Sequence, residues 1–64
     1  MTWNYRVMKS GDEFIIREVY YKEDGTIEGW TAGPAIPSDE TMEGLRWVVE
    51  RYLEALDKSV IEES

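Results

Sequence analysis

The 64-residue chain contains no cysteine and no histidine. Without cysteine there is no disulfide framework and no thiolate zinc site. Without histidine the commonest metal ligand and the commonest general base are both missing. Long hydrophobic runs are lacking as well. No stretch approaches the ~18 apolar residues of a membrane span, and the N-terminus has no apolar run of the signal-peptide kind. The expected compartment is therefore the cytoplasm. Positive charge is scarce, with 7 Lys and Arg against 14 Asp and Glu and a net charge of −7. A basic nucleic-acid footprint is missing, so no direct DNA or RNA binding is expected. The acidity suits solubility or a basic protein partner.

What is present reads as a single domain over 1–64, near the lower limit for folding unaided. A core of that size supplies roughly 3–5 kcal/mol of margin before staples or partners help. With disulfides and thiolate metal sites excluded, self-association is the remaining way to add burial, and a homodimer is the corresponding expectation.

"WNYRVM" (Trp3 to Met8) alternates, with Trp3, Tyr5 and Val7 on one side and Asn4, Arg6 and Met8 on the other. Period two with aromatic and β-branched residues predicts a strand over about 3–8. "KSGDE" (Lys9 to Glu13) is a turn, and "FIIREVYY" (Phe14 to Tyr21) is the strongest strand, rich in β-formers. Asp24-Gly25 then predicts a two-residue hairpin, because both residues tolerate positive φ. The return strand is "TIEGWT", about 26–31. In that register Val19 faces Trp30 and Tyr21 faces Glu28 on one side of the sheet, while Tyr20 faces Gly29 and Lys22 faces Ile27 on the other.

"AGPAIPSDE" (Ala32 to Glu40) has two prolines and no period, which reads as a connection. Ser38 or Asp39 is the expected helix cap, with Thr41 competing; a capping box would want Glu where Gly44 stands. From Met42 onward apolar residues fall at 42, 45, 49, 52, 53 and 56, an amphipathic helix over about 40–58. Leu45, Val49, Tyr52 and Leu56 form its expected core stripe, and 59–64 is an expected frayed tail, with docking of Val60 and Ile61 as the alternative. The fold class is thus α+β: a three-stranded antiparallel sheet (β-β-β-α) packed on one C-terminal helix in two layers. One helix covers one sheet face, yet both faces of the middle strand carry large side chains. An uncovered apolar sheet face follows.

Chemistry-bearing constellations are sparse. No catalytic, metal or cofactor-binding residues are assigned, and the expectation is a protein that is not an enzyme. Glu18 with Arg17 is the one acid–base candidate, but adjacent strand residues point to opposite faces. Eight aromatic residues are present, among them Trp3, Trp30 and Trp47. Trp3 and Trp30 are expected in the core. Trp47 lies off the apolar stripe, among Glu43, Arg51, Glu54 and Lys58. There it either stacks beneath Arg51 at i+4 or anchors an interface. The candidate interaction residues are Trp47, Arg51, Trp30, Val19 and Tyr21. A second reading places a small-ligand pocket between sheet and helix around Tyr5, Tyr20 and Tyr52.

The order of elements, with "DETMEGL" (Asp39 to Leu45) entering the helix and "YLEAL" (Tyr52 to Leu56) closing it, resembles the N-terminal domain of HicB-type antitoxins. That resemblance implies a partial ribonuclease-H-like fold that dimerises and neutralises a small basic toxin. The chain departs from the family where "TAGPAIPS" replaces a Pro-Gly-Cys-like loop. No DNA-binding segment follows the helix, so operator binding is not implied. "TWNYRV", "REVYYKEDG" and "GWT" (within Thr2 to Thr31) are also similar to a group of small bacterial proteins without an assigned activity, a likeness that bears on fold alone.

Overall fold

A computed structural model of the chain describes residues 2–63; Met1 and Ser64, the ends of the expected single domain, lie outside the described residues. The elements are β1 (Thr2–Ser10), β2 (Glu13–Tyr21), β3 (Ile27–Trp30), α1 (Met42–Leu56) and β4 (Ile61–Glu62). The class is α+β, as the periodicities require. The sheet, however, has four strands in the order β3-β2-β1-β4 rather than three antiparallel ones. β4 pairs parallel to β1, with Met8 opposite Ile61 and Lys9 opposite Glu62. A parallel pair needs a crossover, and α1 supplies it. The expected tail 59–64 thus contributes a strand, because the free edge of β1 offers it unpaired backbone groups.

β1 and β2 pair without interruption from Thr2 opposite Tyr21 to Ser10 opposite Glu13. Between them Gly11 alone takes positive φ (62°), as the first position of a II′ turn demands. The second hairpin differs from the expected two-residue loop. Lys22 N–H donates to Thr26 O at 2.8 Å and Gly25 N–H to Lys22 O at 3.0 Å, closing a three-residue loop over Glu23, Asp24 and Gly25. Only Gly25 adopts positive φ (89°). Asp24 instead accepts from Thr26 N–H (3.0 Å) and Thr26 Oγ1 (2.7 Å), an Asx-type bond that favours the longer turn. A bulge at Glu28 absorbs the extra residue. Val19 therefore still meets Trp30 and Tyr20 meets Gly29, but Tyr21 meets Ile27 rather than Glu28.

The helix is shorter at both ends than the expected 40–58. Thr41 is its cap, not Ser38 or Asp39, and Thr41 Oγ1 accepts from Gly44 N–H at 2.9 Å. Asp39 braces that cap instead. Its Oδ2 accepts from Thr41 N–H at 3.0 Å and from Thr41 Oγ1 at 3.1 Å. In a capping box a Glu three residues after the cap would hold that N–H. Here the carboxylate comes from the preceding loop and fills the space a side chain at position 44 would need. A Cβ on Gly44 would collide with it.

α1 packs chiefly on β1, and the side it turns inward is not the expected stripe. Val48 and Ala55 are buried, with Gly44, Leu45, Arg51 and Tyr52 partly so. These positions recur at helical spacing, and the small side chains among them let the helix lie close to the strand. The larger residues Val49 and Leu56, expected in the core, face outward with Met42 and Leu53.

The opposite face of the sheet also departs from expectation. By register it carries Met8 and Val19, both fully buried, with Arg17 between them and Arg6 and Tyr21 alongside. The Arg17 guanidinium donates to Thr31 O (2.8 Å) and Ala32 O (3.0 Å), just past β3, and to Glu63 Oε1 (3.1 Å), just past β4. β3 and β4 are the two edges of the sheet, and four flat strands would hold them about 14 Å apart. One side chain bridging the flanks of both means that the sheet curls over this face. The expected uncovered apolar sheet face is therefore closed over Met8, Arg17 and Val19, with Ile27 and Trp30 exposed only along its β3 edge, and a longer row of exposed apolar side chains stands on the helix instead.

Buried apolar side chains among the described residues are Val7, Met8, Val19, Val48 and Ala55, a thin core. The Cα radius of gyration is 12.1 Å, against about 11 Å for a compact domain of this length.

Candidate functional site

The residues singled out for interaction are scattered by the fold. Val19 is fully buried and presents nothing to a partner. Tyr21 lies on the enclosed face, where its hydroxyl donates to Asn4 Oδ1 at 2.7 Å and accepts from Arg6 at 3.1 Å. Arg6 continues to Ser59, at 2.7 Å to the carbonyl and 3.0 Å to the hydroxyl. This polar chain holds the segment after α1 against β1 and is occupied internally. Trp30, at the end of β3, and Trp3, at the start of β1, are both partly exposed rather than core residues. Trp3 meets Tyr5 edge-on at 5.2 Å, and Tyr5 meets Tyr52 of the helix at 4.7 Å. The three rings tie β1 to α1.

Trp47 and Arg51 come together as their i, i+4 spacing allows. The guanidinium carbon lies 4.9 Å from the indole centroid, and Arg51 also pairs with Glu54 at 2.8 Å. Trp47 remains 51% exposed. It forms one wall of a cleft of about 220 Å³, with Trp3, Tyr5, Arg51 and Lys58 among the other walls. Of the three tyrosines expected around a ligand pocket, only Tyr5 lines this cleft. Tyr52 Oη is buried without a hydrogen-bond partner, as is Arg51 Nε.

Glu18 and Arg17 point to opposite faces, and each is engaged separately. Glu18 accepts from the Tyr20 hydroxyl at 2.9 Å. That bond is the main cause holding the Tyr20 pKa above its ordinary value. Burial, with the nearby Glu18 charge as a smaller cause, raises Tyr5. Tyr52 is raised by burial first, then by Tyr5 and Glu18. The three phenols are thus held in their neutral form near the single carboxylate of Glu18. Among the described residues no group of three or more His, Cys, Asp or Glu is placed to hold a metal ion, and no helix is long and apolar enough to cross a membrane.

The main exposed apolar feature lies on the outer face of α1, not on the sheet where the periodicities placed it. Met42 is 77% exposed, Val49 42%, Leu53 59% and Leu56 62%, with Leu45 partly exposed at the inner border. Arg46 and Glu50 flank the groove that Met42, Leu45, Val49 and Leu53 form. A signal for it was present: Gly44, Val48 and Ala55 make a second row of small residues, and a helix resting on small residues turns its large ones outward. No family model, no curated protein and no solved structure matches the chain. Its functional reading rests on these surfaces.

Proposed function

We propose that this chain is a protein-interaction module with no catalytic role, and that it works through the outer face of α1. The observation carrying this reading is the row of four large apolar side chains standing in solvent on one side of a single helix. Isolated exposed apolar residues are ordinary, but a contiguous row rimmed by charge is the composition of a docking surface. The thin core gives the same reading a thermodynamic motive, since association adds the burial that 64 residues lack. The partner is a second copy or another protein. An antitoxin-like version adds a small basic protein, which the net charge of −7 supports.

The test compares the tagged chain with Leu53→Glu by sedimentation in a lysate of the cells it comes from. The wild type is expected to run above monomer mass, and the variant, equally folded, at monomer mass. A wild type that runs as a monomer throughout would refute the reading.

The cleft between Trp3 and Trp47 supports a second reading, a site for a small planar ligand. Its volume of about 220 Å³ falls below the ~300 Å³ at which ligand pockets ordinarily begin. Quenching of tryptophan fluorescence by an aromatic carboxylate, lost in Trp47→Ala, would favour it.

A further inference from the structure

We infer that the outer face of α1 pairs with the same face of a second copy of this chain, antiparallel, about a two-fold axis at Val49. The inference rests on the interaction reading above and identifies the occupant of that surface. The spacing carries it. Met42, Leu45, Val49, Leu53 and Leu56 are separated by three, four, four and three residues, a series that reads the same in both directions. When the helix is reversed about Val49, Met42 lies at the level of Leu56, Leu45 at the level of Leu53, and Val49 meets its own copy. A two-fold interface requires this kind of self-complementarity, and a heterologous partner would have no need of it. The three-and-four alternation also keeps the row on one side of the helix over four turns, as a helix–helix seam requires.

The flanking charges select the antiparallel direction. Arg46 makes no ion pair or side-chain hydrogen bond within the chain among the described residues. In the reversed arrangement Arg46 of one copy is level with Tyr52 of the other, about 3 Å along the axis from Glu50 of that copy. Two Arg46 and two Glu50 thus gather around the two-fold axis as a neutral set. A parallel pair would put the two Arg46 side chains on opposite sides of the seam, away from the other copy's Glu50, and would align the helix dipoles unfavourably.

The area fits a modest dimer. The exposed parts of these side chains amount to on the order of 400 Å² per copy, so pairing buries roughly 1,000 Å² with the flanks, the lower end for a specific interface. Area alone does not set affinity, but an interface of this size belongs with weak, concentration-dependent dimers, for which about 1 μM to about 1 mM is the range to cover.

Sedimentation equilibrium of the purified full chain from about 1 μM to about 1 mM spans that range. The wild type is expected to pass from monomer to dimer. Leu53→Glu, which would bury four carboxylate oxygens in the pair, is expected to weaken it by at least about 100-fold. Leu53 is largely exposed, so the variant's circular dichroism and melting at low concentration should match the wild type. A second measurement is independent of the variant's folding. The chain has no cysteine, so Met42→Cys and Leu56→Cys each introduce a single thiol. Mixed and oxidised, they should join to each other, while each alone should cross-link poorly.

A purified chain that stays monomeric to about 1 mM, or thiols that join only like to like, would overturn the inference. Lysate assembly that still depends on Leu53 would then leave the interaction reading standing with a different partner. Absence of assembly in both settings would remove both.

Discussion

The sheet face turned away from α1 and the helix face turned away from the sheet carry the residue types expected in each other's place. The sheet face holds a guanidinium, Arg17, at 7% exposure, while the helix face holds leucine, valine and methionine in water. Position along the chain explains the first. Arg17 sits mid-strand on β2, where the curl of the sheet brings Thr31, Ala32 and Glu63 over it, and its head finds two carbonyls and a carboxylate. A buried cation survives only with such partners. On the helix side nothing among the described residues is left to fold over α1, because every strand is already in the sheet. The lesson is that enclosure here follows from which backbone reaches which face, and side-chain polarity adapts to it.

Removing the charge that closes the sheet should have the largest effect. Arg17→Ala leaves two carbonyls without their donor and opens the junction between the sheet edges. A loss of roughly 3 kcal/mol is expected, or about 15 °C in melting temperature for a domain of this size. An unchanged melting curve would mean that the curl does not depend on Arg17. Glu63→Gln is milder, because the amide keeps an acceptor and Glu63 is one-third exposed. About 1 kcal/mol should be lost, and denaturant titration resolves that.

The boundary between the two regions is read by alkali. Tyr5 and Tyr52, where β1 meets α1, have pKa values raised above 10.0, mainly by burial. The folded state holds these protons more tightly than the unfolded chain does. The associated stability is therefore fully present below pH 10 and is lost as pH rises through that value and beyond. Melting followed from neutral to strongly alkaline pH should show this decline, and Tyr52→Phe should reduce it. The smallest effects belong to the helix exterior. Trp47→Ala should cost the monomer about 0.5–1 kcal/mol, the worth of an exposed cation–π contact. Leu53→Glu should change it by no more than about 0.5 kcal/mol. A large loss from Leu53→Glu at low concentration would place Leu53 in the core and erase the contrast between the two faces.

Much of the architecture was legible because it depends on local patterns. The alternation in Trp3 to Met8 and Phe14 to Tyr21 marked two strands and their faces. Gly11 and Gly25 marked both turns, and helical spacing marked α1. The pairing of Trp47 with Arg51 was readable too, since i, i+4 neighbours meet wherever the helix points. The longer second loop was less accessible. Asp24-Gly25 is compatible with either length, and the Asp24–Thr26 bond decided between them. β4 was hidden because two residues have no measurable period. Apolar patterning places the uncovered surface on the sheet, with Val19 and Tyr21 as members, because it reports a stripe without saying what lies against it; in the fold Val19 is buried and the Tyr21 hydroxyl is bonded internally.

By itself, then, the sequence determined the first three strands and the helix, which side chains share a face within β1, β2 and α1, and that neither cysteine nor histidine chemistry is available among these residues. Those properties depend on backbone geometry within a few residues. Only the tertiary structure decided which face of α1 touches the sheet and which face of the sheet is closed. Close packing favoured the small residues Gly44, Val48 and Ala55 against β1, and the curl of the sheet brought distant carbonyls and Glu63 onto Arg17. Both outcomes depend on contacts between residues far apart in the chain, about which spacing along it says nothing.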